Sequence, residues 1–190
     1  MKLDRILPFA KNLLRKAINT GDIVVDATVG NGYDTVSLAE LVGDNGRVYG
    51  FDCQETAVQA SKERLNNHGM AERVTLFHQG HENLITKIPL EHHGKITGAI
   101  FNLGYLPGGD KTIVTKPETT IAAIEQLLRI MAYEGIIVLV IYHGHPGGEE
   151  ERDSLLRYCQ QIDQKSAHIL QYQFINQENS PSFIIAIEKR

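Results

Sequence analysis

The sequence predicts a doubly wound α/β fold, with a mostly parallel sheet, helices on both faces and a C-terminal antiparallel hairpin. Apolar, β-branched runs alternate with segments of helical spacing along the 190 residues. Polar side chains stand at the ends of several of those runs, as at the ligand-binding edge of a parallel sheet. The last two runs, 167–175 and 183–188, are joined by Asn-Gln-Glu-Asn-Ser-Pro, which is typical of a hairpin.

The predicted elements follow in order from an N-terminal helix within residues 1–20. Strands are predicted at 23–27, 46–52, 74–78, 96–101 and 136–142, and helices at 34–42 and near 55–67, 118–132 and 149–164. In the first helix, the residues expected to face the core are Leu3, Ile6, Leu7, Leu13, Leu14 and Ile18. Residues 1–190 are therefore expected to form one domain.

The composition is that of one globular domain, with 42% hydrophobic residues. Charges stand in the N-terminal segment where a signal peptide needs an apolar run, and no stretch is long and apolar enough to span a membrane. Cys53 and Cys159 have no metal-ligand spacing and give no reason to invoke a disulfide. A reduced, cytoplasmic setting is the simplest interpretation.

The first motif is Asp26-Ala-Thr-Val-Gly30-Asn-Gly32, which follows an apolar strand and precedes a helix. A strand, a glycine turn and a helix N-terminus together can cradle a nucleotide-type ligand. Thr35 occupies the position of the third glycine in a dinucleotide fingerprint, so the pattern fits nicotinamide cofactors poorly. Turns with two glycines also occur in proteins that bind nothing.

Two polar residues at later strand ends extend this site. Asp52 ends the second strand, where a carboxylate can accept both ribose hydroxyls of an adenosine cofactor, although it also suits a helix N-cap. Asn102 opens Asn-Leu-Gly-Tyr-Leu-Pro-Gly-Gly after the fourth strand. Its amide offers a donor and an acceptor for an amine, whereas the competing interpretation is an ordinary turn.

These motifs resemble the ordered motifs of class I S-adenosylmethionine-dependent methyltransferases with a Rossmann-like sheet. More narrowly, 26–35, 101–111, 115–120 and 142–148 resemble the small bacterial rRNA methylase family. The terminal hairpin is similar to that of the methyltransferase sheet. Family members are associated with methylation of the aminomethyl group of 5-aminomethyl-(2-thio)uridine at the tRNA wobble position. The resemblance therefore implies S-adenosylmethionine as cofactor and the tRNA anticodon stem-loop as partner, and a homodimer would suit so small an RNA enzyme.

The resemblance and the chemistry of the residues assign the cofactor side. Backbone N–H groups of Gly30, Asn31 and Gly32 would meet the methionine carboxylate, Asp26 its ammonium directly or through water, and Asp52 the ribose. Gly80, His81 and Gln79 would border the adenine. The full set of cofactor candidates is Asp26, Thr28, Gly30, Asn31, Gly32, Asp34, Thr35, Asp52, Cys53, Gln79, Gly80, His81 and Asn102.

On the acceptor side, Asn102 and the Leu103 carbonyl would hold the amine with its lone pair aimed at the methyl group. An alkyl ammonium titrates near ~10.4, so a proton acceptor is needed, and Asp110, His143 and His145 are the candidates. The histidines could instead belong to a polar turn, and a metal site is not expected. Substrate-binding candidates are Leu103, Gly104, Tyr105, Lys111, Lys116 and Tyr142.

The net charge of −4 argues against a general nucleic-acid coat but leaves room for a local basic patch. Arg5, Lys11, Arg15 and Lys16 of the first helix form one such patch, or simply a solvated face. The motifs are also compatible with an rRNA methyltransferase or a small-molecule amine N-methyltransferase. A nicotinamide oxidoreductase is less favoured, because of Thr35 and the terminal hairpin.

Overall fold

The computed structural model describes residues 2–110 and 112–190, and it confirms the predicted α/β fold. The strands are β1 Ile23–Asp26, β2 Arg47–Asp52, β3 Val74–His78, β4 Ile96–Leu103, β5 Met131–Ile141, β6 Ala167–Tyr172 and β7 Phe183–Lys189. The helices are α1 Ile6–Ala17, α2 Tyr33–Val42, α3 Glu55–Asn67, α4 Leu84–Lys87, α5 Pro117–Ile130 and α6 Gly148–Gln161. In this part of the chain, no helix is long and apolar enough to cross a membrane.

The described strands form one sheet in the order β3-β2-β1-β4-β5-β7-β6. Strands β1 to β5 pair in parallel, whereas β7 lies antiparallel between β5 and β6. The predicted closing hairpin is therefore confirmed, although β6 ends at Tyr172 rather than at residue 175. Strand β5 begins at Met131, inside the stretch that the sequence pattern assigned to a helix.

Helices cover both faces of the sheet, because successive strand residues point to opposite sides. In β1, Ile23 and Val25 join the core beneath α5 and α6, while Val24 joins the core beneath α1 and α2. The central strands are apolar on both faces for this reason, as parallel strands commonly are. Two packed layers thus fix the carboxyl edge of the sheet from both sides.

Helix α1 packs less of its surface than the sequence predicted. Ala10, Leu14 and the following Ile18 are buried against the sheet. Leu3 and Leu7 are 64% and 44% exposed, so the expectation that they face the core was wrong. Leu3 precedes the helix, which begins at Ile6, and Leu7 lies at the edge of a cleft.

Strand β4 is longer than predicted and carries Asn102 within it rather than after it. Asn102 is paired in register with Val140 of β5, and Asp26 of β1 is paired with Ile100 of β4 and Gly50 of β2. The ends of these parallel strands therefore lie along one edge of the sheet. The polar residues singled out in the sequence converge there.

Candidate active site

A cleft of about 1590 Å³ opens at the carboxyl edge of the sheet, between the strand ends and α1. It contains most of the residues that the sequence predicted for the site. Those that line it are Thr28, Gly30, Asn31, Asp34, Asp52, Cys53, Gly80, His81, Asn102, Leu103, Gly104, Tyr105, Lys116, Tyr142, His143 and His145.

The glycine turn after β1 is held by the carboxylate at the end of β2. The Gly30 N–H donates to Asp52 Oδ2 at 2.8 Å, and the Gln54 N–H donates to Asp52 Oδ1 at 2.9 Å. Each oxygen keeps a further lone pair, so Asp52 can both hold the turn and accept ribose hydroxyls. The N-cap interpretation of Asp52 was wrong, because α3 begins at Glu55 with Gln54 as its N-cap, and Asp52 bonds the N–H of that N-cap residue. The ribose role of Asp52 stays a prediction.

The role expected for the glycine N–H groups needs correction. Gly30 donates its N–H to Asp52, and Gly32 donates its N–H to Val29 at 2.9 Å, so both are used within the protein. Gly32 has φ of 79°, and a Cβ there would lie 3.0 Å from the Ser61 Cα. These two glycines shape the turn and let α3 approach it, rather than donating to a ligand carboxylate.

Asp26 and Thr35 lie beneath the cleft, and both are fully buried. The Thr35 hydroxyl donates to Asp26 Oδ2 at 2.6 Å, and the Thr28 N–H donates to Oδ1 at 3.2 Å. Burial raises the pKa of Asp26 to about 7, with Asp34 and Asp52 adding to the rise. The expectation that Asp26 or Thr35 contacts a ligand directly was therefore wrong. Both residues support the turn from below.

Asn102 is fixed by two hydrogen bonds from neighbouring elements. Its N–H donates to the Thr28 hydroxyl at 2.7 Å, and its Nδ2 donates to Asp34 Oδ2 at 2.7 Å. An ionised carboxylate can only accept, so Asp34 sets which end of the amide faces it. The Asn102 carbonyl oxygen is left as the acceptor available at the cleft.

The loop after β4 is anchored by an acid that the sequence analysis did not single out. The Gly104 N–H donates to the Thr115 hydroxyl at 2.9 Å, and that hydroxyl donates to Glu151 Oε2 at 2.7 Å. Thr120 donates to the other Glu151 oxygen at 3.1 Å. Glu151 is one of three successive glutamates at the start of α6, and only its burial separates it from the others, which no sequence pattern reveals.

The three candidate proton acceptors differ in what their atoms already bind. Asp110 is exposed and accepts from the N–H and hydroxyl of Thr112, which lowers its pKa, so it is a turn residue. His143 is buried, with Nε2 on the Pro181 carbonyl at 3.1 Å and Nδ1 facing Arg152 Nη1 at 3.3 Å. The acid–base role expected of Asp110 was wrong, because this carboxylate binds its own turn and does not line the cleft. The same role was wrong for His143, because both its ring nitrogens already have partners.

His145 differs from those two residues. Its Nδ1 lies 3.0 Å from the Pro146 carbonyl, which makes Nδ1 the donor and Nε2 the acceptor. Within residues 2–110 and 112–190, its Nε2 is buried and has no hydrogen-bond partner. The ring packs edge-on against Tyr105, beside Gly104. The Nε2 lone pair is therefore unused, but the atom is buried against the loop that carries Gly104 and is not exposed at the cleft surface.

The region after β3 supplies the far wall of the cleft. His81 Nδ1 lies 2.9 Å from the Ala27 carbonyl, and burial lowers the pKa of His81, so the ring is neutral with its proton on Nδ1. Its Nε2 is buried and lacks a partner among the described residues. Gly80 and Cys53 also line the cleft. Gln79 is exposed outside the cleft, so the expected contact of Gln79 with the adenine was wrong.

This donor set suits an adenosine cofactor. Asp52 offers carboxylate oxygens for ribose hydroxyls, and Val29 and Phe51 give an apolar wall for a flat base. The unpartnered His81 nitrogen is an acceptor at the same wall. Among the described residues, no group of three or more His, Cys, Asp or Glu side chains is placed to hold a metal ion.

The remaining substrate candidates lie across the cleft from this wall. Leu103 accepts the Tyr142 N–H on its carbonyl at 3.2 Å, which leaves one lone pair. Burial, with a contribution from Asp34, raises the pKa of the Tyr142 phenol. Lys116 is exposed at the N-terminus of α5, and Lys111 lies outside the described residues.

One wall of the cleft was not predicted as part of the site. It is formed by α1, through the residues Leu7, Pro8, Lys11, Asn12 and Arg15. Lys11 and Arg15 were expected on a basic surface, but the sequence pattern did not show that this surface borders the site. Lys11 Nζ lies 4.0 Å from Asp34 Oδ1, which brings α1 to the residue that orients Asn102.

Solved structures show the same fold over the whole chain. A "putative rRNA-methylase" from Clostridium thermocellum is 40% identical, with a TM-score of 0.96 and full coverage of both chains. A "putative methyltransferase" from Streptococcus mutans, solved in complex with SAH, is 33% identical, with a TM-score of 0.89 and 99% coverage of each chain. The arrangement defines a Rossmann-like fold of the class I methyltransferase type.

The family follows from the sequence match. The sequence model of the family described as "Putative rRNA methylase" matches residues 48–188, and the chain belongs to that family. The chloroplastic tRNA (mnm(5)s(2)U34)-methyltransferase of Arabidopsis thaliana is 33% identical over 182 residues, which is 92% of this chain. The chain spans 66% of the length of that relative. The resemblance identified in the sequence is confirmed.

Proposed function

We propose that the protein transfers a methyl group from S-adenosylmethionine to an RNA. The acceptor is the aminomethyl group of 5-aminomethyl-(2-thio)uridine at the wobble position of tRNA, presented by the anticodon stem-loop. The observation that carries this proposal is the orientation of the Asn102 amide. Asp34 accepts from the Asn102 NH₂ group, which leaves the Asn102 carbonyl oxygen to accept an amine N–H. The Arabidopsis relative, named for the same kind of wobble nucleoside, supports the choice of acceptor.

S-adenosylmethionine would supply an electrophilic methyl group, so the protein mainly has to align the nucleophile. Asn102 Oδ1 and the remaining lone pair of the Leu103 carbonyl would each accept an amine N–H, which directs the nitrogen lone pair along the line of attack. Asp52 would hold the ribose, and the apolar wall beside Phe51 would exclude water from the base. Asp34 acts through Asn102 and is a positioning residue.

The acceptor amine must also lose a proton before it attacks. An alkyl ammonium holds its proton up to a pH near ~10.4, so only about one amine in a thousand is neutral at pH 7.4. His145 Nε2 is the proton acceptor that we propose, since its lone pair has no partner in the described structure. The atom is buried against the loop that carries Gly104, so this role requires that loop to shift when the substrate binds. Imidazole is the side chain best suited to accept a proton near neutral pH.

The direct test uses two synthetic anticodon stem-loops that differ only at the wobble base. One carries 5-aminomethyl-2-thiouridine and the other carries 2-thiouridine. The proposal expects a mass gain of one methyl group on the first and none on the second, and Asn102→Ala should abolish the gain. Methylation of both, or of neither, contradicts the proposed acceptor.

An rRNA target is the second candidate, because the ribosomal RNA small subunit methyltransferase H of Oenococcus oeni is 36% identical over 46% of this chain. Nucleosides from the tRNA and rRNA of cells lacking the protein distinguish the two candidates by mass spectrometry. The proposal expects a changed wobble-uridine profile with intact rRNA. Loss of an rRNA methylation with an unchanged wobble profile favours the second candidate.

A further inference from the structure

Helix α1 presents a stripe of three side chains to the cleft. Leu7, Lys11 and Arg15 recur every fourth residue, so they lie on one face of the helix, and all three line the cleft. Ala10 and Leu14 are buried against the sheet on another face, which fixes the rotation of the helix. The stripe spans roughly 12 Å at a rise of about 1.5 Å per residue. We call these three residues the α1 stripe.

The α1 stripe carries positive charge to the acceptor side of the site. Lys11 lies 4.0 Å from Asp34, the residue that orients Asn102, so the stripe borders the reacting position. Arg15 is exposed and, in residues 2–110 and 112–190, forms no ion pair. Lys116 lines the opposite side of the same cleft. A chain with net charge −4 thus has cations on both sides of its candidate acceptor site.

We infer that the α1 stripe binds the sugar-phosphate backbone of the RNA next to the reacting nucleotide. Arg15 and Lys11 would contact phosphates, and Leu7 with Pro8 would contact the apolar face of a sugar or base. The inference rests on the proposed RNA substrate and adds the surface that holds it. A guanidinium that forms no protein ion pair is well suited to a phosphate, which it can bind through two parallel hydrogen bonds.

RNA fits this surface better than a second copy of the chain. The stripe is continuous with the reaction cleft, so an occupant of the stripe would also reach Asn102. Two cationic side chains within four residues are complementary to a polyanion. A second copy would place the same cations against each other if it met this face symmetrically, which is unfavourable.

The chain offers a matched pair of variants for the test. Arg15→Glu and Lys16→Glu reverse the charge of neighbouring exposed residues in the last turn of the same helix. Of these two residues, only Arg15 lines the cleft. Any loss of helix stability or of net charge is therefore nearly equal in both. Lys11 is less suitable, because its substitution would also disturb Asp34.

The experiment measures the dissociation constant of a 17-nucleotide anticodon stem-loop by fluorescence anisotropy. It is repeated at roughly 50 and 200 mM salt. Arg15→Glu should weaken binding about tenfold or more at the lower salt, and its salt slope should fall by about 0.7 to 0.9. Lys16→Glu should change binding less than about twofold and keep the slope. Calorimetry should give both variants the S-adenosylmethionine affinity of the unaltered protein.

The outcomes separate this inference from the proposed function. If the two variants bind RNA equally and still methylate the modified stem-loop, the RNA-binding role of the α1 stripe is overturned. The proposed function is then unaffected. Arg15-dependent RNA binding without methylation of that stem-loop supports the stripe and overturns the wobble acceptor. If Arg15→Glu changes the oligomeric state in light scattering but leaves the RNA affinity unchanged, this face serves self-association. That result overturns the inference. Failure of the unaltered protein to bind any RNA overturns both.

Discussion

Asn102 Nδ2 donates to Asp34 Oδ2 at 2.7 Å, which joins the end of β4 to the first turn of α2. The bond fixes the amide because a carboxylate cannot donate in return. It also places a negative charge behind the amide NH₂, which favours the polarised form of the carbonyl. The pair is therefore the element that makes Asn102 an oriented acceptor rather than a freely rotating one.

Loss of either member of this pair should lower kcat in a non-additive way. Asp34→Ala leaves the Asn102 amide without its fixed partner, so we expect kcat to fall about tenfold or more, the size of a hydrogen bond to a charged group. The kcat of Asn102→Ala should be lower still, and adding Asp34→Ala to that variant should lower kcat only slightly more. Single-turnover rates at saturating cofactor measure this cycle. Additive losses in the double variant would show that Asp34 acts independently of Asn102.

Asp52 should affect cofactor affinity rather than transfer. Asp52→Ala removes the acceptor for two backbone N–H groups and for the ribose, so the Kd for S-adenosylmethionine should rise about 10- to 100-fold. Calorimetry measures the change, and kcat at saturating cofactor should fall much less. Glu55→Ala, an exposed acid in the first turn of α3, is the control and should leave the Kd unchanged. Similar losses of affinity in Asp52→Ala and Asn102→Ala would argue against separate cofactor and acceptor roles.

The pH dependence of the rate distinguishes the two histidines after β5. Without a proton acceptor, the rate follows the neutral fraction of the amine and rises about tenfold per pH unit below ~10.4. His145→Gln should show this steep rise, whereas the unaltered protein should show a shallower one near neutral pH. His143→Gln should lower stability without steepening the profile, because both its ring nitrogens bind within the protein. Identical profiles for His145→Gln and the unaltered protein would exclude His145 as the acceptor.

The sequence was a good guide wherever position along a strand determined the geometry. Asp52 and Asn102 were located from apolar runs alone, because the ends of parallel strands meet at one edge. The sequence was a poor guide where the burial of a side chain decided the role of the residue. Asp26 and Thr35 stand inside the glycine motif, yet both are fully buried and cannot reach a ligand directly.

Long-range packing explains the remaining errors. Leu7 has the spacing of a core residue, but the rotation of α1 against the sheet turns it to the cleft together with Lys11. Glu151 looks like its two exposed neighbours until the loop after β4 folds against α6 and buries it. In each case the deciding contact joins residues far apart in the chain, and no local pattern encodes it.

Gly32 should be far less tolerant of substitution than another glycine with the same backbone conformation. Gly32→Ala and Gly69→Ala both place a side chain at positive φ, 79° and 65°, at a cost of about 1–2 kcal/mol each. At Gly32 the new Cβ also meets Ser61, whereas nothing lies within 4 Å at Gly69. We expect an extra loss of about 1–3 kcal/mol at Gly32, measured by urea unfolding. Equal losses would mean that α3 moves away freely.

The buried carboxyl of Asp26 should make the stability of the protein fall as the pH rises. Burial raises its pKa from 3.8 to about 7 in the fold, so the folded state holds a proton that the unfolded state has released. The stabilising contribution of the protonated form is complete below pH 3.8 and is lost as the pH rises through about 7. At roughly 1.36 kcal/mol per pKa unit, the loss amounts to a few kcal/mol by pH 8.

Asp26→Asn removes this titration, so the difference in unfolding free energy between the variant and the unaltered protein isolates it. We expect that difference to shift in favour of Asp26→Asn between pH 5 and pH 8, whatever its absolute value, since the amide cannot ionise. Asp110→Asn is the control, because the pKa of that exposed carboxyl is lowered by Thr112 and its titration is over by pH 5. A difference that stays constant across this range for Asp26→Asn would mean that Asp26 is already ionised in the fold, and that Thr35 and Thr28 offset the cost of burying its charge.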